Sequence, residues 1–205
     1  MIRGEGAPVV PRVRTSLGLW SYDSTVRTEI PFPHLALEGS AFALRPFRVD
    51  DFAAARALEQ DEAAARWLPP LPAEDGEGVA RFYDECRRDG TLLHLVIADP
   101  RDGSYLGETM LALAEHGVGE AGCCVVPAAR GRGVATDALR ALTDWAFATL
   151  GLGRVQVFVA PENVAARRLA ESAGFEREGV LRSYWEIGGK RVDAVILARI
   201  PGHVV

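Results

Sequence analysis

The chain has 205 residues, of which 48% are hydrophobic and 25% are charged, and its net charge at pH 7 is -5. This length and composition fit one soluble globular domain with a sizeable core. The acidic balance, with an isoelectric point near 5.4, argues against general nucleic-acid binding, which needs a basic face, and favours cationic or amine-bearing small partners.

The cysteines and the apolar runs set further limits. Cys86 stands alone, and Cys123 and Cys124 are adjacent, so the spacing of a metal site or a disulfide framework is missing and no metal is expected. No apolar run approaches the roughly 18 residues of a membrane span, and the chain does not start with a secretory signal. We therefore expect a cytoplasmic protein without a membrane or nucleic-acid partner.

Residues 1–37 contain four prolines and little hydrophobic periodicity, which predicts an irregular or partly ordered N-terminal extension. Four of its apolar residues could dock on a surface or on a second subunit, which leaves a homodimer open. They are Leu17, Leu19, Trp20 and Tyr22. The domain proper is expected over residues 38–205.

The next part of the chain alternates between strand-like and helix-like patterns. Residues 41–47 predict a first strand, and Asp50 is placed to cap an alanine-rich helix that ends near Gln60. The predicted elements that follow are a helix over 74–88, a hairpin with strands over 92–98 and 105–113, and a strand over 121–126.

The second half of the chain begins with a long amphipathic helix. It starts at Val134, because apolar residues recur from there at helical spacing, and Gly151 ends it. After a strand over 154–160, Asn163 is placed to cap a short helix that stops at Gly174. Two further strands are predicted over 180–187 and 191–200.

The most informative stretch is the loop that leads into the long helix, where an apolar run ends and small and basic residues cluster. Backbone N–H groups at a helix start lack partners and the helix dipole adds positive potential, so this loop is expected to hold an anion such as a pyrophosphate. Gly131 and Gly133 can adopt positive φ, and Arg130 and Arg132 supply charge-assisted hydrogen bonds. An ordinary helix entry rich in Gly and Arg is the alternative.

The spacing of the two glycines also invites a nicotinamide or flavin site. Thr136 stands where the third glycine of that motif belongs, which weighs against this interpretation.

Residues 130–135 resemble the acyl-CoA pyrophosphate loop of the GNAT superfamily of N-acetyltransferases, which has Arg or Gln, two free positions, Gly, one free position, and then Gly or Ala. Residues 163–175 and 178–182 are similar to the Rim-type branch, which acetylates protein N-terminal amines. The resemblance covers about residues 38–200. It implies an α/β (α+β) fold whose central mixed, mostly antiparallel sheet is splayed at the acyl-CoA site and flanked by helices, with acetyl-CoA as the acyl donor.

The resemblance also implies where the donor lies. The strand that ends at Val126 would splay from the strand over 155–160, with the pantetheine arm in the gap. Val126 would pair with pantetheine amides, and Asn163 would either meet the arm near the thioester, cap its helix, or do both. The implied acyl-CoA contacts are Val125, Val126, Arg130, Gly131, Arg132, Gly133, Val134, Ala135, Thr136 and Asn163.

Direct attack of an amine on a thioester requires a neutral nucleophile, a polarised carbonyl and a proton for the departing thiolate. The chain departs from its relatives here, since Ala166 stands where Rim-type enzymes often have Ser, and Ala170 where other members have Tyr. A carboxylate used by some Rim-type enzymes would fall near Trp185, with Glu186 expected on the opposite strand face.

Glu120 is the preferred general base, because the resemblance places it near a catalytic glutamate of other branches; a solvated turn glutamate is the alternative. Glu108 is the second candidate. Tyr184 is the candidate general acid, with a half-buried strand aromatic as its alternative. His94 and His116 are expected to be a sheet residue and a loop residue rather than bases.

The acceptor is ranked by its pKa. The reference pKa is near 7.7 for an α-amine and near 10.4 for a lysine side chain. At pH 7 about one α-amine in six is therefore neutral, against roughly one lysine side chain in 2,500. If base catalysis at the site is weak, a peptide N-terminus or another small amine of low pKa is therefore favoured as the acceptor. Two alternatives stay open, namely transfer of a larger acyl group such as succinyl and a CoA-binding regulatory module without catalysis. Residues 67–72 either border the acceptor site or form a rigid connector.

Overall fold

The computed structural model of the chain describes residues 28–32, 41–187 and 189–202. The four apolar residues expected to dock on a surface or a second subunit lie outside the described residues. The helices are α1 (Phe52–Glu59), α2 (Glu62–Ala65), α3 (Gly76–Arg88), α4 (Val134–Leu150) and α5 (Val164–Ser172). The strands are β1 (Ala43–Arg45), β2 (Leu92–Ala98), β3 (Tyr105–Ala114), β4 (Val118–Val125), β5 (Arg154–Val159), β6 (Glu176–Ile187) and β7 (Lys190–Arg199).

The seven strands form one sheet in the order β1-β2-β3-β4-β5-β7-β6. Only β4 and β5 run parallel to each other, and the other neighbours are antiparallel, including the predicted β2–β3 hairpin. The predicted mixed, mostly antiparallel sheet is therefore confirmed. Within the described ranges no helix is both long enough and apolar enough to cross a membrane.

Helices cover both faces of the sheet, which explains the burial pattern of β2. Leu93 and Leu95 pack with α4 and α5 on one face, whereas Val96 and Ala98 pack with α1 and α3 on the other. All seven residues of β2 are consequently buried, and its nearly continuous apolar sequence follows from this double cover.

The start of the domain differs from the sequence-based prediction. β1 is shorter than residues 41–47, because Pro46 follows it and offers no backbone N–H to the ladder. Asp50 is exposed and does not cap α1. The neighbouring carboxylate of Asp51 instead accepts a hydrogen bond from the backbone N of Arg48 (2.7 Å) and pairs with Arg45 (2.6 Å), so a short 3-10 turn precedes the helix.

Three other elements also differ from the sequence-based prediction. The four-residue helix α2 was not predicted, and the carboxylate of Asp61 caps it by accepting from the backbone N of Ala64 (3.1 Å). β4 begins at Val118 rather than at residue 121, since a preceding 3-10 turn with His116 at φ 60° redirects the chain into the sheet. β6 begins at Glu176 rather than at residue 180 because it continues to pair with β7.

Residues 28–32 belong to the predicted extension and pack against α3. Ile30 is 1% exposed, and its backbone N donates to the carbonyl of Arg87 (3.0 Å). The guanidinium of Arg87 pairs with Glu29 and lies 4.3 Å from the ring centroid of Phe32.

The sheet opens between β4 and β5. These two strands pair at only three positions, of which the last joins Glu120 to Gln156. β4 nevertheless continues beside β3 to Val125, and β5 continues beside β7 to Val159. The two strands therefore diverge beyond Glu120, which confirms the predicted splay.

Candidate active site

The loop before α4 presents a row of free backbone amides. The N–H groups of Ala129 and Arg130 donate to carbonyls within the preceding 3-10 turn, and the N–H of Asp137 donates to Gly133 (3.0 Å). Between them, the N–H groups of residues 131–136 donate to no described residue. Gly131 and Gly133 have φ of 70° and 78°, as the sequence predicted, and the side of Gly131 where a Cβ would stand is open.

This loop has the chemistry of an anion site. Arg130 and Arg132 are exposed beside the free amides, at the positive end of the dipole of the 17-residue helix α4. The one carboxylate in the first turn, Asp137, pairs with Arg140 (2.7 Å) and adds little repulsion. A diphosphate therefore fits the loop in charge and in hydrogen-bonding capacity.

The edge of β4 in the gap differs from the expectation for Val126. Its backbone N–H donates to Leu106 (2.9 Å) and its carbonyl accepts from Ala129 (2.9 Å), so both groups are already used. Because backbone groups alternate along a strand, those of Cys123 and Val125 point away from β3, toward the gap. These two residues, rather than Val126, offer backbone partners there.

Asn163 lies just beyond the end of β5, on the other side of the gap. Its side-chain Oδ1 accepts a hydrogen bond from the backbone N of Ala166 (3.1 Å), so the predicted helix cap is confirmed. Contact between Asn163 and an acyl-CoA arm stays a prediction.

Glu120 occupies the point where the sheet opens. It is the last residue of β4 paired with β5 and is only 5% exposed, so the alternative of a solvated turn glutamate is wrong. Its Oε1 has no hydrogen-bond partner among the described residues. Burial raises the pKa of this carboxyl to about 7, which is the range suited to a general base or acid at neutral pH.

The second candidate base, Glu108, is committed to other side chains. Its carboxylate lies 3.3 Å from Nε2 of His94 and accepts from the hydroxyl of Tyr105 at 2.9 Å. Although burial opposes them, these two hydrogen bonds hold the pKa of Glu108 below its usual value. His94 is a buried residue of β2 and His116 an exposed turn residue, as predicted.

Tyr184 is turned out of the regular alternation of β6. Register slips between Leu181 and Trp185, where Ser183 adopts φ 56°, which is unusual for a residue other than glycine. This bulge stacks the ring of Tyr184 on Phe158 of β5, with centroids 5.1 Å apart. Burial, and then the charge of Glu120, raise the pKa of Tyr184. The two predicted catalytic residues therefore lie close enough for the charge of Glu120 to act on the hydroxyl of Tyr184.

Tyr184 belongs to a set of packed rings that we call the aromatic cluster, composed of Trp67, Phe158, Tyr184 and Trp185. The ring centroids of Tyr184 and Trp185 are 5.8 Å apart. Trp67 joins the start of the segment 67–72 to this cluster, whereas Leu71 packs against the core beneath α1 and α3. That this segment borders the acceptor site stays a prediction. Glu186 is exposed on the opposite strand face, as predicted.

A contact that the sequence did not reveal involves the loop before α4, residues 130–136, which we call the donor loop because it presents free N–H donors. This contact connects the donor loop to α2 and, through it, to the aromatic cluster. Nη2 of Arg130 lies 2.5 Å from Oδ2 of Asp61, and Arg130 holds the pKa of Asp61 below its usual value. The two residues are 69 positions apart, so no local pattern links them. Residues 61–67 thus run from the loop to the aromatic cluster.

The comparisons with known proteins agree with this geometry. A family model described as "Acetyltransferase (GNAT) domain" matches residues 42–176. Three Bacillus N-acetyltransferases match over 38% to 47% of their own length, among them the uncharacterized p20 of Bacillus licheniformis, 35% identical over 68 residues or 33% of this chain. The Escherichia coli spermidine N(1)-acetyltransferase is 25% identical over 152 residues, 74% of this chain and 82% of the relative.

Solved structures share the fold. Mycobacterium smegmatis RimJ in complex with CoA-disulfide has a TM-score of 0.68 and 26% identity, covering 78% of this chain and 82% of that one. Vibrio cholerae spermidine N-acetyltransferase in complex with CoA and spermine has a TM-score of 0.65 and 23% identity, covering 78% of this chain and 95% of that one. The RimJ match supports the resemblance to the Rim-type branch. With the splayed sheet and the family match over 42–176, the chain belongs to the GNAT family of acetyltransferases.

Proposed function

We propose that the protein transfers an acetyl group from acetyl-CoA to a primary amine, with Glu120 as the general base. The observation that carries this proposal is the carboxyl of Glu120 at the point where the sheet opens. This carboxyl is buried, has no partner among the described residues, and has a pKa of about 7. An isolated carboxyl of this kind is costly to bury and is therefore typical of a functional site.

The donor loop supports acyl-CoA as cosubstrate. The amides of residues 131–136 and the guanidinium groups of Arg130 and Arg132 would bind the diphosphate, and the gap beside Cys123 and Val125 would receive the pantetheine arm. Two structural neighbours were solved with CoA or CoA-disulfide, which is consistent with this assignment.

Acetyl-CoA supplies an activated acyl group as a thioester. Glu120 would take a proton from the incoming ammonium, and the neutral nitrogen would then form the new C–N bond while the C–S bond breaks. The hydroxyl of Tyr184 would give its proton to the departing thiolate. The attacking nitrogen would lose its second proton as the amide forms, and this proton would return to Tyr184 through solvent, while Glu120 releases its own proton to solvent. The alanines at 166 and 170 carry no acidic proton, which leaves Tyr184 as the candidate acid.

An α-amine is the favoured acceptor. It needs about 3.7 kcal/mol less help with deprotonation than a lysine side chain at the reference pKa values of 7.7 and 10.4, and a single carboxyl with a pKa of about 7 offers limited driving force. Comparing an α-amine peptide with its N-terminally blocked, lysine-bearing counterpart tests the preference. Faster acetylation of the blocked peptide would overturn it.

A larger acyl donor such as succinyl-CoA is the alternative. Ala170 is 2% exposed within the core, so its small side chain is covered by protein, whereas Ala166 is partly exposed. A panel of acyl-CoA thioesters measures the preference directly, and we expect acetyl-CoA to react fastest.

Incubation with acetyl-CoA and a pool of amines and peptides, with detection of both free thiol and mass-shifted product, tests the function itself. Glu120→Gln should lower kcat/KM by about 10²-fold or more, the usual contribution of a positioned base, and remove the rise of kcat/KM with pH through about 7. Glu186→Gln on the exposed face of β6 is the matched control. Tight CoA binding without thiol release for any amine would instead indicate a regulatory module.

A further inference from the structure

The last paired position of β4 and β5 carries two side chains of equal length. Glu120 and Gln156 are direct partners in the parallel register, and neighbouring strands lie about 4.8 Å apart. Paired residues share a face of the sheet, so the carboxyl and the carboxamide stand side by side. They lie on the face opposite α4, because Val155 and Val157, on either side of Gln156, belong to the core that α4 covers.

A hydrogen bond fixes the orientation of the Gln156 amide. Its Oε1 accepts from Nε of Arg154 (3.1 Å), and Nη1 of the same guanidinium donates to Glu178 (2.8 Å). Because a guanidinium only donates, the amide oxygen faces Arg154 and the NH2 group is the other branch of the planar amide. Nε2 donates to no described residue, and Gln156 is only half-buried. A free donor therefore stands beside the free acceptor Oε1 of Glu120.

The acyl transfer contains two atoms that match this donor and this acceptor. As the amine attacks, its nitrogen and the carbonyl oxygen of the thioester become attached to the same carbon. The nitrogen carries hydrogens that Glu120 accepts, whereas the oxygen gains negative charge and needs a donor. Because the two side chains are direct neighbours, they reach two atoms on one carbon without spanning a longer distance.

The reacting carbonyl belongs at the closed end of the gap. The donor loop follows the far end of β4, and Glu120 and Val125 are five residue steps apart on this strand, or about 17 Å. A pantetheine arm that starts at the diphosphate and follows this edge of β4 carries its thioester toward the last paired position.

We propose that Gln156 is a catalytic residue whose side-chain N–H donates to the carbonyl oxygen of the thioester and stabilises the negative charge that develops there. This proposal rests on the proposed function, because it requires an acyl-CoA thioester in the gap. As the C–N bond forms, the π electrons of the C=O bond move to the oxygen. When they return, the C–S bond breaks and its electron pair leaves with the thiolate. Gln156 keeps its protons throughout, and the proton transfers remain with Glu120 and Tyr184.

Gln156→Met tests the donor, since Met is also unbranched and of similar length but has no N–H. We expect kcat to fall by about 10²-fold, the usual loss for one oxyanion donor, with KM for acetyl-CoA and for the amine within about threefold. Gln60→Met is the matched control. It changes the one other glutamine of the chain, which is exposed at the end of α1, and should leave kcat unchanged. An unchanged kcat in Gln156→Met, or a rise in KM alone, overturns the proposal.

A binding measurement separates this proposal from the proposed function. In the ketone analogue of acetyl-CoA a methylene group replaces the sulfur, so the carbonyl is present but is not transferred. Labelling the glutamine side chains with ¹⁵N gives signals from Gln60 and Gln156 alone. The ketone analogue should shift an N–H signal of Gln156 downfield relative to its position with CoA.

Gln60→Met assigns these signals by elimination, so the result does not depend on the folding of Gln156→Met. A Gln156 signal at the same position with CoA and with the ketone analogue overturns the proposal. A downfield shift in a protein that acetylates no amine would support the donor role of Gln156 and contradict the proposed function.

Discussion

At the scale of single residues, environment separates carboxyl groups that look alike in the sequence. Glu108 is held by His94 and Tyr105, which stabilise its charged form. Glu120 receives no such hydrogen bond, and burial alone raises its pKa to about 7. Partners keep one carboxylate ionised, whereas the lack of partners leaves the other ready to exchange protons near neutral pH.

The raised pKa of Glu120 predicts a pH-dependent stability. Because the folded state holds this proton more tightly than the unfolded state, the contribution of Glu120 to stability is most favourable below the ordinary carboxyl pKa of 4.5 and becomes less favourable as pH rises toward about 7. Glu120→Gln removes this loss. Urea unfolding should show the variant more stable than wild type at pH 8, by up to about 3 kcal/mol, with the gain disappearing near pH 4.5. A gain of equal size at both pH values would contradict the assignment.

Tyr184 is predicted to act through its hydroxyl. Tyr184→Phe keeps the ring stacked on Phe158 but removes the proton donor, so kcat should fall by about 10- to 100-fold with little change in KM for the amine. Tyr83→Phe, on α3 against His94, serves as the control and should retain activity within about twofold. A rise in KM at constant kcat would show that Tyr184 binds the acceptor instead.

At the scale of elements, the helix start at α4 and the short helix α2 are joined by one ion pair. Arg130 stands beside the free amides of the donor loop, and in this structure it is paired with Asp61, the cap of α2. A bound diphosphate would compete with Asp61 for the same guanidinium. From α2 the chain leads directly to Trp67 of the aromatic cluster.

Asp61→Asn tests this competition without disturbing the helix, because Asn caps helices as well as Asp does. Calorimetry at low salt should show CoA binding about two- to fivefold tighter in the variant, since the competing charge is gone. Glu62→Gln changes the same net charge on the neighbouring exposed residue and should have a smaller effect. Weaker CoA binding by Asp61→Asn would mean that Asp61 positions Arg130 for the diphosphate.

At the scale of the whole molecule, the sheet performs two tasks. It holds the core from β1 to β7, and it opens between β4 and β5 just beyond Glu120, with the donor loop following the end of β4 and Phe158 of the aromatic cluster on β5. Residues 28–32 add to the core from outside the family match, through the buried Ile30. The folded unit therefore includes part of what the sequence assigned to an extension.

Ile30→Ala measures how far the domain extends toward the N-terminus. The side chain is 1% exposed in the main core, so the free energy of unfolding should fall by about 2 to 4 kcal/mol. Val49→Ala, at a residue 51% exposed, is the control and should change it by less than about 0.5 kcal/mol. A cost as small as that of the control would restore the boundary near residue 38.

The sequence by itself determined the features that depend on neighbours along the chain. The positive φ at Gly131 and Gly133, the cap at Asn163, the hairpin of β2 and β3 and the extent of α4 all follow from local backbone preference and apolar periodicity. The family resemblance added the splay. Boundaries failed where a particular side-chain contact decided them, as at Asp50, whose neighbour Asp51 pairs with Arg45 six positions earlier.

Only the tertiary structure decided the chemistry of the candidate site. That Glu120 is unpaired while Glu108 is paired, that a bulge brings Tyr184 onto Phe158, and that Arg130 meets Asp61 across 69 positions depend on groups far apart in the chain. The proton affinity of a side chain is set by burial and by the charges around it. Those surroundings come into existence only when the sheet is assembled, so the sequence could name and rank the candidates, whereas their different environments became visible only in the fold.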